Sequence, residues 1–224
     1  MNNPLLLLLR LEGLMQSWGE RAHWDLRDTS PLPTKSAIIG LLACSLGLTR
    51  NHPDILQLGK ELSIGVRADR SGSQFTDYQT VSGSIATASG GSRGRKDEES
   101  TIVSIRQYIC DGSFLVVLGG PEVQLETLAS ALQAPKWPIY LGRKACVPMR
   151  PVFEALTDNY LSLEDALQNA PFCERSDHYA ICEIDAPSGF TFRRDILLPS
   201  PSRHYLTRRI NRFSVKNNIE EAVL

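Results

Sequence analysis

The stretch PLLLLLRLEG, residues 4–13, is a short apolar run that ends in charged residues and a glycine. A run of this length is typical of a buried strand, and we predict a first strand over Leu5–Leu11. No cation precedes the run, and Arg10 and Glu12 interrupt it far short of an export signal. No other apolar run reaches the roughly 18 residues of a membrane span. A soluble, cytoplasmic protein without membrane contact is therefore expected.

The next part of the chain alternates helical and strand patterns. Thr34 precedes an apolar helix as its N-cap, and Gly40 inside that helix indicates close packing there. The predicted elements are a helix over 35–48, a strand over 62–69, hairpin arms over 75–81 and 100–109, a strand over 113–120, a helix over 121–133 and a strand near 139–147. A Gly/Ser-rich insert, SGSIATASGGSRGRKDEE (82–99), separates the two arms.

The order of these elements indicates the fold class. Without the insert, the order is strand, helix, strand, strand, helix, strand, which is the ferredoxin-like pattern that RNA-recognition domains also use. We predict an α+β protein with a ferredoxin-like domain over 1–150. A protruding β-hairpin thumb at about 75–110 belongs to this domain, and a smaller β-rich C-terminal part covers 151–224.

Charge is distributed unevenly along a chain of ordinary overall composition. A hydrophobic content of 42%, a charged content of 22% and a formal net charge of -1 argue against disorder and against a simple polycation. The charged residues of 151–185 are mostly acidic, whereas those of 193–216 are mostly basic. A further cluster of basic residues lies within 136–150. Local basic surfaces of this kind are typical of phosphate contact, although many are only solvated faces.

Two candidate sites precede the second strand. At the helix start, Thr34, Lys35 and Ser36 combine outward-pointing amides with a cation, which suits a phosphate; a capped helix with nothing bound is the alternative. Earlier, Gln16, Trp18, Gly19 and Arg27 follow the first strand, and Trp24 lies among them. Aromatic and arginine side chains there can stack on unpaired bases, unless Trp18 belongs to the core.

Two further candidates lie in the hairpin and beyond it. One arm carries Tyr78, Gln79 and Thr80, and the other carries Arg106, Gln107 and Tyr108. This combination suits wrapping a single-stranded nucleic acid or gripping a neighbouring subunit. An ordinary surface excursion remains the alternative. In YLGRKACV, a flexible glycine is followed by two cations that can reach phosphates. These residues are Gly142, Arg143 and Lys144.

Catalytic and metal-binding patterns are missing from the sequence. The five cysteines never form a C-x-x-C pair, and the four histidines lack metal-ligand spacing. No catalytic residue, metal or cofactor is predicted. A loose set of His, Tyr and Lys can still cut RNA through its 2′-hydroxyl, so this absence does not exclude RNA cleavage.

Five blocks in register carry a family resemblance: GLMQSWGE, PTKSAIIGLLACSLGL, DYQTV, IRQYICDGSFLVVL and YLGRKACVPMRPVF. Together they resemble the CasD family, the RAMP-type subunit of the type I-E CRISPR surveillance complex Cascade. The element PSRHY (201–205) sits where that family has a similar basic and aromatic segment. The insert between the arms departs from the family, so the residues at the thumb tip cannot be carried over.

The resemblance implies a non-catalytic subunit that holds the 5′ handle of the CRISPR RNA and caps the backbone filament. Its partners would be the CRISPR RNA, the backbone subunit, the large subunit and other Cascade proteins, with target DNA met only indirectly. On this basis Lys35, Arg106, Arg143 and Lys144 would clamp phosphates, and Trp18 and Tyr78 would stack or wedge. Two alternatives stay open: a repeat-RNA endoribonuclease of the type I-C kind, and a module that binds acidic proteins.

Overall fold

The computed structural model describes residues 3–21, 25–82, 85–86, 91–93, 101–198 and 204–217. Trp24, most of the insert 82–99 and the first three residues of PSRHY lie outside the described residues. The elements are β1 (Leu6–Gln16), β2 (Leu26–Arg27), α1 (Lys35–Leu46), α2 (Pro53–Glu61), β3 (Ser63–Arg70), β4 (Ser73–Ser82), β5 (Ile85–Ala86), β6 (Ser92–Arg93), β7 (Thr101–Gly119), α3 (Glu122–Gln133), β8 (Phe153–Thr157), α4 (Leu163–Asn169), β9 (Tyr179–Asp185), β10 (Thr191–Leu198) and β11 (His204–Lys216).

A large sheet with few helices dominates this mixed α/β structure. Its strands follow the order β10-β11-β9-β3-β7-β1-β8, and β2 and β4 also pair with β7. The strands β1, β3 and β4 are antiparallel to β7, whereas β2 is parallel to it. The 19-residue β7 therefore pairs with four other strands.

Both faces of the central sheet are covered, which explains the uninterrupted leucine run. Leu7 and Leu9 pack with residues of α1, α2 and α3, whereas Leu6 and Leu8 pack with residues of α4. Because successive side chains of a strand point to opposite faces, a strand between two helix layers is apolar at every position. The predicted first strand is confirmed, and it continues to Gln16.

The first helix begins and ends as the local sequence dictates. The Thr34 side chain accepts a hydrogen bond from the Ala37 amide, and Gly47 closes the helix in the left-handed conformation at φ 71. The helix therefore stops at Leu46, two residues before the predicted end. Gly40 is exposed, and a Cβ there would meet nothing within 4 Å, so the prediction of close packing at Gly40 is wrong.

Two further elements differ from the prediction. The strand near 139–147 is absent: the segment is a loop with Gly142 at φ 89, and β8 pairs with β1 at that edge of the sheet instead. The arm over 100–109 and the strand over 113–120 are one strand, β7, since the ladder to β1 keeps the same register on both sides of Asp111, which has φ 57. Helix α2, which begins at Pro53, is an element that the sequence patterns do not predict.

The C-terminal residues extend the same sheet and do not build a separate one. Strand β8 pairs with β1 at one side, while β9 pairs with β3 at the other. Strands β10 and β11 then follow β9 outward to the edge of the sheet. The sheet thus has no break at residue 150.

A buried ion-pair network, here called the acid–arginine cluster, ties these outer strands to α1. It contains Lys35, Glu183, Asp185, Arg193, Asp195 and Arg208. Arg193 donates to Glu183 at 2.6 Å, Arg208 donates to Asp195 at 2.7 Å, and the Lys35 amide donates to Asp195 at 2.8 Å. Burial alone would raise the pKa of Asp195, but its hydrogen bonds and the charge of Arg208 outweigh this and hold that pKa below its ordinary value.

A second buried network lies under α4. Arg67 and Arg10 both donate to Asp69, and the Arg67 guanidinium also donates to the Leu167 and Ala170 carbonyls at 2.7 and 2.9 Å. The Arg67 guanidinium lies 3.8 Å from the centre of the Phe172 ring. These contacts satisfy carbonyls at the end of α4 and attach that helix to the sheet.

We expect Asp195→Asn to lower the free energy of unfolding by about 1.5–3 kcal/mol at neutral pH, because it removes one of the three carboxylates that Arg208 contacts and its charge-assisted hydrogen bonds. The folded-state pKa of Asp195 is depressed, so its stabilisation is complete above the unfolded value of about 3.9. That stabilisation is lost as the pH falls through the lower folded value. Urea unfolding at pH 7 and near pH 3 measures the difference between the two proteins.

The matched control is Asp158→Asn, at an exposed carboxylate outside both networks. Its unfolding free energy should stay within about 0.5 kcal/mol of the parent. An equal effect of the two substitutions, or a difference that does not shrink in acid, would contradict the role given to Asp195.

Candidate nucleic-acid interface at the hairpin base

The hairpin base is the place where β7 leaves the core and pairs with β4. The two arms pair from Ser73 opposite Cys110 to Ser82 opposite Thr101. Strand β2 lines the other edge of β7, with Leu26 beside Ile105 and the Ile105 amide donating to the Asp25 carbonyl at 2.7 Å. The base is therefore a three-stranded ribbon that continues the main sheet.

The ribbon has two chemically different faces, because residues directly opposite each other in a ladder share a face. One face carries Arg27 beside Arg106, which lies opposite Asp77, and it also carries the exposed Phe75 and Val81. We call Arg27, Arg106 and Arg143 the cationic face. The other carries Leu26, Tyr78, Val103 and Ile105, all exposed, and we call it the apolar face.

This division separates residues that the sequence analysis had grouped together. Tyr78 pairs with Ile105 and Thr80 pairs with Val103, so both belong to the face opposite Arg106 and Tyr108. Tyr78 is 66% exposed, whereas Tyr108 is buried in the core. A single ligand cannot contact Tyr78 and Arg106 from one side of the ribbon.

Arg143 reaches the cationic face from the loop 139–149. Its guanidinium lies 4.5 Å from the centre of the Tyr108 ring and donates to the Arg27 carbonyl at 2.8 Å. A cation over an aromatic ring is attracted by the ring's quadrupole. The two contacts hold the guanidinium in place beside Arg27, while Lys144, the next residue, is exposed.

The loop that carries Arg143 is fixed to the chain after β1. The Ser17 amide donates to the Leu141 carbonyl at 3.1 Å, and the Leu141 amide donates to the Cys146 carbonyl at 2.7 Å. Gly142 has φ 89, and a Cβ at that position would lie 1.7 Å from the Ser17 carbonyl oxygen. Only glycine allows the loop to approach this closely.

Gln16 and Trp18 support the base from inside. Both are fully buried, and the side-chain amide of Gln16 donates to the Gly112 carbonyl at 2.7 Å. The Trp18 amide donates to the Thr29 hydroxyl at 2.9 Å, and the Trp18 ring belongs to the main core. The stacking role predicted for Trp18 is wrong, since no base can reach a ring with no exposed surface. Gly19, by contrast, is exposed.

The helix start lies in the acid–arginine cluster. The Lys35 ammonium donates to Asp185 at 2.9 Å and to the Leu62 carbonyl at 2.8 Å, while Asp195 accepts from its amide. A carboxylate of the chain thus occupies the position where an anion would bind at the N-terminus of α1. Thr34 is buried as the cap and Ser36 is half-buried. The prediction of a phosphate clamp at Lys35 does not fit this geometry.

The basic segment 193–216 is also largely committed to internal contacts. Arg193 and Arg208 are buried with Glu183, and Arg212 donates to the same carboxylate at 3.0 Å. The acidic and basic stretches therefore neutralise each other across β9, β10 and β11. The expectation of a basic surface from this segment fails for the buried arginines.

Histidines, cysteines and acidic residues do not form a chemical centre in the described part of the chain. His52 Nδ1 accepts from the Asp54 amide and caps α2. His204 begins β11, whereas His178 lies next to Tyr179, which pairs with the far end of that strand. Among the described residues, no group of three or more His, Cys, Asp or Glu could hold a metal ion. Within the same residues, no helix is long and apolar enough to cross a membrane.

Comparison with known proteins identifies the family. A family model described as CRISPR-associated protein (Cas_Cas5) matches residues 6–211. The chain belongs to the CRISPR-associated Cas5 family. The match covers the sheet from β1 into β11, and it confirms the resemblance that the five sequence blocks indicated.

Relatives of this Cas5-family chain agree with the assignment. It is 36% identical over 159 residues to the CRISPR system Cascade subunit CasD of Escherichia coli (strain K12), covering 66% of this chain and 69% of the relative. A chain of a solved CRISPR RNA-guided surveillance complex superposes with a TM-score of 0.74 at 34% identity, covering 94% of this chain and 91% of that one. A solved Cas protein gives 0.69 at 30% identity, covering 94% and 95%.

We expect Gly142→Ala in this Cas5-family chain to lower the unfolding free energy by more than about 2 kcal/mol, because a Cβ clashes with the Ser17 carbonyl and the backbone conformation is strained. Thermal unfolding followed by circular dichroism measures the loss.

Gly40→Ala is the control, since a Cβ there meets nothing and alanine favours an exposed helix position. It should raise the melting temperature slightly. A Gly142→Ala protein as stable as the parent would show that the loop can move away from Ser17 without cost.

Proposed function

We propose that this Cas5-family protein is a non-catalytic RNA-binding subunit of a Cascade-type surveillance complex that acts in the cytoplasm. It holds the 5′ handle of the CRISPR RNA and caps the backbone filament. Family membership supports a role in such a complex. The single observation that carries RNA contact is the cationic face of Arg27, Arg106 and Arg143 at the hairpin base.

The cationic face suits a phosphate backbone because its cations are guanidiniums on a rigid frame. Exposed Arg27 can match a phosphate with two parallel donors. Arg143, whose Nη1 is buried and whose Nη2 donates to the Arg27 carbonyl, contributes its charge from a fixed position. Arg143 is held by Tyr108 and the Arg27 carbonyl. Such contacts position the RNA without reading its bases, which leaves target choice to base pairing by the guide. Lys144 adds an exposed cation beside Arg143.

The apolar face on the other side of the ribbon supports contact with the adjacent backbone subunit. Leu26, Tyr78, Val103 and Ile105 are exposed together on the three-stranded ribbon. Contiguous exposed apolar residues of this kind mark interaction sites. The hairpin then works as a thumb, with RNA on its cationic face and protein on its apolar face.

The strand order supports a ferredoxin-like RNA-recognition unit at the centre of the sheet. Strands β8, β1, β7 and β3 are neighbours in that order, and every neighbouring pair is antiparallel. Helix α1 comes between β1 and β3, and α3 comes between β7 and β8. Two helices and four strands with this connectivity are the elements of that unit.

Geometry offers no support for RNA cleavage by the described histidines. Residues His178 and His204 are associated with opposite ends of the 13-residue β11, about 40 Å apart at 3.3 Å per residue. His52 accepts a backbone hydrogen bond at the start of α2. A general acid and a general base must both lie within reach of one scissile phosphate. Holding the RNA without cutting it is therefore the function proposed.

The test is binding of end-labelled handle RNA by the full-length protein over a series of salt concentrations, with cutting followed in the same samples. Arg27→Ala and Lys144→Ala should each weaken binding and reduce the slope of log K against log salt by about 0.7, the value for one phosphate contact on a single strand. The handle should remain intact, with and without divalent metal.

Arg50→Ala is the matched control, because it removes one exposed cation far from the hairpin in sequence. It should leave the slope unchanged. An equal effect of Arg50→Ala would make the binding non-specific, and specific cutting of repeat RNA would assign the protein to the processing nucleases.

A further inference from the structure

Edge strand β10 exposes its aromatic residue and buries two of its three charged side chains. Phe192 is 61% exposed and Phe190, directly before the strand, is 94% exposed. Further along the strand, Arg193 and Asp195 are only 3% and 1% exposed. Ordinary half-buried strands show the opposite pattern, with aromatic residues inside and charges in water.

The acid–arginine cluster fixes this inverted pattern. Arg193 donates to Glu183 and Asp195 accepts from Arg208, so these two charges of β10 are held on the inner face. A slip of one residue would move every side chain of the strand to the other face. It would bury Phe192 but pull two charges out of their ion pairs. The phenylalanines therefore stay in water, where large apolar groups gain nothing unless a ligand covers them.

Two arginines share the outer face with these rings. Arg209 lies opposite Phe192 in the ladder to β11, with its guanidinium 5.3 Å from the centre of the Phe192 ring. Exposed Arg194 donates from Nε to the Tyr205 carbonyl at 3.0 Å. Over 191–198 and 204–216 the single carboxylate is Asp195, on the inner face. We call Phe190, Phe192, Arg194 and Arg209 the outer face of β10.

We propose that the outer face of β10 binds an unpaired stretch of polynucleotide. Aromatic rings stack on the face of any base, and only unpaired bases present a free face. Phe192 lies in β10 and Phe190 lies in the bend directly before it, so two exposed rings are two residues apart in the chain. Unpaired bases can stack on these rings while the neighbouring guanidiniums contact their phosphates.

Charge favours a polynucleotide over an apolar protein partner. Covering Arg194 and Arg209 with apolar side chains would remove two charges from water without a counterion, which is costly. A polyanion supplies the counterions and releases its own condensed cations on binding. Phenylalanine has no hydrogen-bonding group, so the site does not distinguish one base from another by edge contacts.

This face is separate from the hairpin base. Strands β11, β9 and β3 lie between β10 and β7, which is roughly 19 Å across the sheet at about 4.8 Å per strand. The inference therefore does not depend on the proposed handle site. Background substitutions Arg27→Ala and Lys144→Ala weaken the hairpin base in the test and leave β10 unchanged.

The experiment uses the full-length protein in this background and fluorescein-labelled 20-mers of uridine and of deoxythymidine, each also made with an iodinated pyrimidine for photo-crosslinking. Phe190→Ala with Phe192→Ala should weaken binding of single strands fivefold or more, the fold-change that the weakest base–aromatic stacking corresponds to. Crosslinks should map to 190–194. The uridine and deoxythymidine arms decide whether RNA or DNA is the better ligand.

Val123→Ala, at an exposed apolar residue of α3, is the matched control and should leave affinity unchanged. Phe192→Tyr should retain binding, because it keeps the aromatic ring. Arg194→Ala should flatten the salt slope. The proposal is overturned if the double phenylalanine variant binds as the parent does while its melting temperature is unchanged, if crosslinks map elsewhere, or if a blunt duplex binds as well as single strands. A failure of the hairpin base to bind the handle would not affect the proposal for β10.

Discussion

The continuity of β7 is the constraint on which the arrangement depends. Its C-terminal half lies between β1 and β3 in a sheet covered on both sides, and its N-terminal half forms one arm of the hairpin. Rigid core packing therefore determines the direction in which the arm leaves the molecule. Since Arg106 lies on this same strand, the cationic face inherits its position from the leucine and valine side chains of the core.

Buried charge has a second organising role in this molecule. The acid–arginine cluster joins α1 to β9, β10 and β11, while Arg67 and Asp69 join α4 to the sheet. Buried ion pairs of this kind add little net stability over apolar packing, but they penalise any register that separates them. In β10 this penalty has a visible result, because it keeps Phe192 in water. Specificity of pairing and exposure of the rings have the same origin.

Local signals in the sequence predict the first strand, both long helices and the hairpin arms well, because periodicity and capping depend on neighbouring residues. The loop at Gly142 was predicted as a strand, since its alternation resembles one and the approach to Ser17 is a long-range contact. Pairing between distant segments explains the remaining differences. The helix start predicts a phosphate ligand at Lys35, but Asp185 and Asp195, 150 and 160 residues later, lie beside it. The acidic and basic blocks in 151–216 were the signal that could have indicated this pairing.

The separation of Lys35 from Asp195 also has a consequence during synthesis of the protein. Ribosomes add about 5–20 residues per second, so 160 residues correspond to roughly 8–32 s between the appearance of the helix start and of its carboxylate partner. Throughout this interval α1 lacks the anion at its first turn, and burial of the Lys35 ammonium would leave it without a carboxylate partner. Chains that end prematurely never acquire that partner. The native interior can close only on a nascent polypeptide translated through β11, which leaves incomplete products open to chaperones and proteases.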